Sequence, residues 1–423
     1  MREDFLHFLW RWRRFSTHHL QTTDGQPLEV VHPGEPNAHA GPDFFNARIR
    51  IGDTLWAGNV EIHLRASEWL SHRHESDRAY DNVILHVVLD EDEVIYRSNG
   101  QRLPCLALRQ YIPQGLLEQY HCLIHAREWI PCARRLSEVS AIIKVNWLDR
   151  LLVERLQEKT NAVAQRLAEA NGHWEEAFYR QLAYSFGLKV NADTFEALAR
   201  ITPWHLLSRH RDNCLQVEAL LFGQAGLLDN ITDDDTYVQS LVREYRFLQH
   251  KYQLHPLAAS QWKFFRLRPS NFPTVRIAQL AALLYRAPLL FSAVLDTPKL
   301  QDLEKLFEVE HSPYWTTHYR FGQPSPARRK SLSKAFIHAL IVNAVVPFLF
   351  HYGREKSLVV YRNQALYLLD VLSPESNAIL EKWGDLGLKP KNAAQAQGLI
   401  HLKTRYCQML RCLECAIGTA LLR

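Results

Sequence analysis

Gly41-Pro-Asp-Phe-Phe-Asn-Ala-Arg-Ile-Arg-Ile-Gly-Asp-Thr-Leu-Trp-Ala-Gly-Asn-Val-Glu-Ile-His-Leu64 decides how this chain folds. Two apolar-rich runs flank Gly52-Asp53, the pattern of a hairpin around a two-residue turn. Pro42-Asp43 opens the first run, and Glu61-Ile62-His63 lies near the end of the second. Folded back, the hairpin brings two carboxylates and an imidazole to one end. Hard divalent cations take oxygen donors in such an arrangement. Strand parity sets a condition. A strict two-residue turn pairs Ile51 with Thr54, and therefore Asp43 with Ile62. Directly paired residues share a face, so Glu61 and His63 would point away from Asp43. A cluster here requires a longer turn or one bulge, a device common beside active sites.

Reading outward, residues 3–15 have helical spacing, with Phe5, Leu6, Phe8, Leu9 and Trp12 on one broad face. A turn at 22–26, a strand at 28–32 and a loop at 33–37 lead into the hairpin of 44–51 and 55–64. Residues 67–80 have helix-compatible spacing, with Ser67 as N-cap. Residues 82–89 are nearly continuous in apolar side chains, as in a central strand. Residues 94–97 and 103–108 suggest a further hairpin around Asn99-Gly100.

The motif and this order of helix, three strands, helix and strand resemble the PD-(D/E)xK nuclease superfamily, with His63 where that superfamily has lysine. The resemblance implies that Asp43, Glu61 and the carbonyl of Ile62 hold one or two Mg²⁺ or Mn²⁺ ions. Such ions polarise a phosphodiester and acidify a water. His63 would orient or deprotonate that water. Glu3 or Glu35 would add an outer carboxylate. The structural alternative has Asp43 capping a turn and Glu61 facing solvent. His72, His74 and Asp77, with His63, form a second group of zinc-compatible donors. They read better as partners that orient the first site. His86, among valines and leucines, reads as a core histidine or as a wall of the same cleft.

After residue 112 the strand signals give way to period-3.6 segments, with helices expected near 140–170, 174–186, 194–201, 213–222, 235–252, 274–285, 299–308, 330–351, 373–383 and 392–420. The expected class is α+β: a small PD-(D/E)xK-like mixed-sheet domain, 1–112, followed by a large all-helical domain, 113–423. Two irregular stretches mix cations with aromatics. One carries Lys263, Arg266, Arg268 and Arg276, the other Arg328, Arg329 and Lys330. Such mixtures grip phosphates and stack bases; the plainer reading is loops whose arginines bind helix ends. Cys407, Cys412 and Cys415 would suit zinc or an iron–sulfur cluster if Cys132 or Cys122 joined them. Read as one helix over 402–421, the segment favours plain packing of buried thiols.

Composition sets outer bounds. The chain has 423 residues, 47% hydrophobic, and a formal charge of +5, which permits nucleic-acid binding without demanding it. Seven cysteines in no regular framework point to reduced thiols. The longest near-apolar stretch, Ala339–Phe350, is broken by Asn343 and Pro347 and is shorter than the roughly 20 residues of a membrane span. The N-terminus lacks signal-peptide features, so a cytoplasmic protein without membrane partners is expected. As a whole the chain resembles an uncharacterised bacterial family, domain of unknown function 2851, through Gly41–Asn46, Trp56–His63, Asp81–Val88, Arg268–Gln279 and Tyr406–Gly418. That resemblance supports the layout and implies no chemistry. The expected function is a metal-dependent nuclease whose helical domain binds nucleic acid. The alternatives are a non-catalytic binding scaffold and a zinc hydrolase.

Overall fold

Helix α1 (Glu3–Trp12) leads into strands β1 (Leu28–His32), β2 (Glu35–Pro36), β3 (Phe44–Ile51) and β4 (Thr54–Arg65). A short helix α2 (Glu68–Ser71) precedes strands β5 (Val83–Asp90) and β6 (Cys105–Ala107). The structure is a computed structural model that describes residues 2–37, 39–229, 231, 234–287 and 289–422. The strands form one mixed sheet in the order β1-β3-β4-β5-β6, with β2 beside β3. The β1–β3 and β3–β4 pairs are antiparallel, and β4–β5 and β5–β6 are parallel.

The hairpin meets the parity condition through a bulge. Gly52 takes φ +56°, as the first position of its tight turn requires. Ile51 pairs with Thr54 and Ala47 with Gly58, and then the register slips so that Phe44 pairs with Val60. The extra residue is on β3, where Asn46 has φ +58°, a conformation that asparagine tolerates. Continued by one step, the slipped register sets Asp43 opposite Glu61 instead of Ile62.

Burial follows the pleat. Val60, Ile62, Leu85 and Val87 share a core with Phe5, Leu6 and Leu9 of α1. Each such side chain contributes about 1.5–3 kcal/mol by leaving water. Glu61, His63, His86 and Val88 alternate with them and turn to the opposite face. There Val88 packs with Trp69 of α2.

Two local readings need correction. The helix expected over 67–80 stops at Ser71 and continues as single 3-10 turns at His74–Ser76 and Arg78–Tyr80. Arg73, between α2 and the first of these turns, is in the left-handed region, φ +60°, which α-helix cannot accommodate. The second hairpin is reduced to one bridge, Tyr96 to Arg102, because residues 105–107 instead extend the sheet in parallel beside β5.

The chain divides into two compact units, Met1–Trp147 with Leu402–Arg423, and Leu148–His401. The boundary expected at residue 112 lies inside the first. Helix α3 (Gln114–Ile124) closes the sheet's core, with Tyr120 stacked on Phe5 at 4.2 Å, and Leu422 enters the same core. The expected helix over 392–420 is interrupted. It runs as Ala393–His401, continues as a π-helical turn Leu402–Cys407, and resumes only at Ala416–Leu421.

The second unit is mostly helical, with one small hairpin of β7 (His318–Arg320) and β8 (Gln323–Pro324) that an all-helical reading misses. Its helical run Lys334–Glu355 is long and apolar enough to cross a membrane, although the apolar stretch within it looked too short. Of its most apolar window, 67% is buried inside the protein, as in a core helix. Pro347 does not break this run, because a π-helical turn, Ile341–Val345, precedes it. The ring removes the hydrogen bond that the Asn343 carbonyl would accept, and Gln181 donates to that carbonyl instead, at 3.0 Å.

Candidate metal centre

Asp43 and Glu61 clasp each other across the bulge. The Asp43 amide donates to Glu61 Oε2 at 3.1 Å, and the Ile62 amide donates to Asp43 Oδ2 at 2.9 Å. Both carboxyls are withdrawn from water. Burial, then the charge of Asp43, pushes Glu61 up to about 9. Burial likewise raises Asp43, against the opposing pull of His7. Glu61 therefore holds its proton at neutral pH unless a cation displaces it.

Helix α1 adds two donors from the other side of Asp43. His7 Nε2 lies 3.5 Å from Glu3 Oε1 and 3.6 Å from Asp43 Oδ2. The donor atoms of Glu3, His7 and Asp43 all fall within 4.8 Å of one another. Burial alone would lower the His7 pKa, but the Glu3 and Asp43 carboxylates outweigh it and the net shift is upward. Glu3 was expected as an outer carboxylate; His7 was not. Its only signal in the sequence is the i, i+4 spacing to Glu3, easily lost in an amphipathic helix.

A second donor group surrounds His63. Its Nδ1 is 2.9 Å from His86 Nε2, and its Nε2 is 3.2 Å from His72 Nδ1. His63, His72 and His74 offer ring nitrogens within 4.8 Å of one another. A helix would splay His72 and His74, but the left-handed Arg73 turns both rings toward His63. Glu61 joins the two groups, with Oε1 3.3 Å from His74 Nε2 and 3.6 Å from His63 Nε2. Burial holds His63 down to about 4 and His86 down to about 3, so both rings are neutral. His86 is fully buried, as a core histidine would be, yet it is wired to His63. Tyr80 stacks on His74 at 3.8 Å and Trp69 packs edge-on at 5.4 Å, forming an aromatic wall.

Some hydrogen-bonding capacity is left unfilled at this site. His7 Nε2, His74 Nε2 and His86 Nδ1 are buried without a hydrogen-bond partner, and the first two face carboxylates at ion-pair distance. Nitrogen lone pairs and carboxylates aimed at shared space suit a divalent cation. Imidazole donors favour manganese, iron or zinc over magnesium.

Two expected donors stand apart. Glu35 is exposed on the outer edge of the sheet, where β2 pairs Glu35 with Phe45. Asp77 accepts a hydrogen bond from the Ala79 amide and caps a 3-10 turn, so its carboxylate is engaged locally. Cys132, Cys407, Cys412 and Cys415 line one cavity elsewhere in this unit, and Cys122 is exposed and does not line it.

In the helical unit the two basic stretches meet. Arg268, Arg276, Arg328, Arg329 and Lys330 line one cleft of about 550 Å³, with serines, Asn271 and no carboxylate among the lining residues. Some of these cations are also structural. Arg276 donates to Gln279 and Asn271 and lies 3.6 Å from the centre of the Phe336 ring. Lys330 donates to the carbonyls of Trp315 and Thr316, and Arg329 pairs with Glu310. Lys263 and Arg266, expected to act with them, are not part of the lining.

Comparison with known families places the chain. It belongs to the family described as Protein of unknown function (DUF2851), whose model matches residues 3–378. No curated protein and no solved structure matches it significantly.

Proposed function

For this member of that family, we propose a metal-dependent hydrolase that cuts phosphodiester bonds in nucleic acid. The observation that carries the reading is the bulge at Asn46, which sets Asp43 beside Glu61 where two donor groups meet. The element order also supports it. An antiparallel hairpin followed by a helical crossover to a parallel strand is the arrangement implied by the PD-(D/E)xK resemblance.

Glu3, His7 and Asp43 would hold one cation, and His63, His72 and His74 a second, with Glu61 between them. Bound there, divalent cations would offset phosphate charge and make a water nucleophilic near neutral pH. The protein's own groups do the positioning. The Ile62 amide fixes Asp43, and His86 fixes the His63 ring. Trp69 and Tyr80 pack on the His74 ring, and Trp69 also packs on His86. A ring with a pKa of about 4 is a poor base at neutral pH, so His63 serves better as a donor to a cation than as a proton acceptor. Mn²⁺ fits this mixed donor set better than Mg²⁺. The basic cleft of the helical unit supports nucleic acid as the substrate class, since Arg268 and Arg328 line it and no lining residue is a carboxylate.

A zinc hydrolase is the second reading, favoured by the three clustered imidazoles. One assay separates the readings. Labelled single- and double-stranded DNA and RNA are incubated with Mg²⁺, Mn²⁺ or Zn²⁺, beside Asp43→Asn and Glu61→Gln. Cutting with Mn²⁺ that both variants lose supports the nuclease. Losses of about 10²–10³-fold are expected, as for removal of a charge-stabilising group. No cutting of any substrate by folded protein would overturn it in favour of a binding scaffold.

A further inference from the structure

We infer that Cys132, Cys407, Cys412 and Cys415 ligate an iron–sulfur cluster. The four residues come from distant parts of the sequence and line one cavity in the sheet-bearing unit. They are four of the protein's seven cysteines. Plain packing of buried thiols would not require the backbone seen here. The chain leaves α-helical geometry through the π turn ending at Cys407, and Leu410 enters the left-handed region with φ +53°. Such departures cost free energy and concentrate at functional sites. Gly418 passes so close to the Cys412 carbonyl that a side chain there would overlap it. The effect of this coiling is to direct three thiols toward Cys132.

The surroundings suit sulfur that carries negative charge. The Ile417 and Gly418 amides and the Trp147 indole lie close to Cys415 and favour negative charge on its sulfur. N–H donors to ligand sulfurs are among the groups that tune such clusters. Arg411 lines the cavity, and Lys403 lowers the cost of charge on Cys407. No carboxylate lines it.

The spacing favours a cluster over a single ion. Zinc bonded at about 2.3 Å draws four sulfurs to roughly 3.8 Å of one another. Among the described residues these cysteines do not form a group with donor atoms all within 4.8 Å, as the two histidine-containing groups do. The space between them is about 10 Å³, the room of one water-sized sphere. The cluster is a staple, joining the C-terminal segment to the turn at Cys132.

The test is elemental. The full chain, purified without oxygen from iron-supplemented cells, is assayed for iron, acid-labile sulfide and zinc. Iron and sulfide in near-equal amounts, with broad visible absorption, are expected. Cys132→Ser and Cys412→Ser should lose most of both, while Cys214→Ser should retain them. Zinc in stoichiometric amount without sulfide would overturn the inference. So would iron and sulfide that persist in both variants, or none after anaerobic reconstitution with ferrous iron and sulfide. Should a serine variant fail to fold, the inventory of the unaltered chain decides alone. None of the four cysteines belongs to the proposed hydrolytic site, so this result and the cleavage assay fail independently.

Discussion

Glu61 carries the sharpest charge conflict in the sheet, and it makes stability depend on pH. Its carboxyl titrates at about 9 in the folded, cation-free protein, against 4.5 for an ordinary glutamate. Between those values the folded state holds a proton that the unfolded chain has lost, so stability falls as pH rises. His63 works in the opposite sense. Its folded pKa of about 4 lies below the ordinary 6.5, so in that window the unfolded chain binds the extra proton and stability climbs with pH. His86, held to about 3, adds to that climb. The cation-free midpoint of unfolding is therefore expected to rise up to about pH 6.5 and decline toward about pH 9. Scanning calorimetry over that range checks it, and Glu61→Gln should flatten the alkaline decline. Binding of Mn²⁺ at neutral pH should release protons from Glu61 and from His7, whose pKa is raised, because ligating groups must be deprotonated. Titration calorimetry in two buffers of different ionisation heat would measure it, and proton uptake or none would sink the assignment.

At the scale of elements, one residue of register determines whether Asp43 and Glu61 meet. Asn46 absorbs that residue with φ +58°. Asn46→Gly should keep the bulge, the stability and Mn²⁺ binding. Asn46→Val should cost about 1–2 kcal/mol, because a β-branched residue, unlike asparagine, is strained in the left-handed region. It should also weaken Mn²⁺ binding, because the unbulged register returns Asp43 to the face of Ile62. Equal behaviour of the two variants would remove the bulge from the argument. The hairpin, its turn and the need for an irregularity were legible in the sequence, since alternation and turn chemistry are local signals. The bulge's position was not, because asparagine is ordinary at many strand positions. The chain around His72 and His74 was misread as helix, since the left-handed Arg73 leaves no mark on apolar spacing. β6 was paired with the wrong neighbour because nearby Asn99-Gly100 resembles a hairpin turn, while parallel pairing depends on contacts distant in sequence.

At the scale of the molecule, the change to helical periodicity near residue 112 is real, but it does not mark the edge of the first unit. Phe5 stacks on Tyr120 of α3, and Leu422 fills the same core. Helical spacing reveals a helix and not which core it serves, which is why residues 113–147 and 402–422 were assigned elsewhere. The meeting of Arg268 with Arg328 in one cleft was equally out of reach, because it depends on how two loops converge. If that cleft grips a phosphate backbone, oligonucleotide affinity should fall steeply with salt. Arg268→Ala and Arg328→Ala should each reduce the slope by about one, uniformly across sequences. An unchanged slope in both would remove the cleft from the interface.

The claim on which the proposed chemistry depends is that Glu61 sits between two groups of cation donors. Crystals grown with Mn²⁺ and measured at the manganese absorption edge test it most directly. Anomalous density is predicted beside Asp43 and Glu61, with a second peak toward His63, His72 and His74. Density elsewhere but none at these residues, in protein whose bulge at Asn46 is intact, would contradict it.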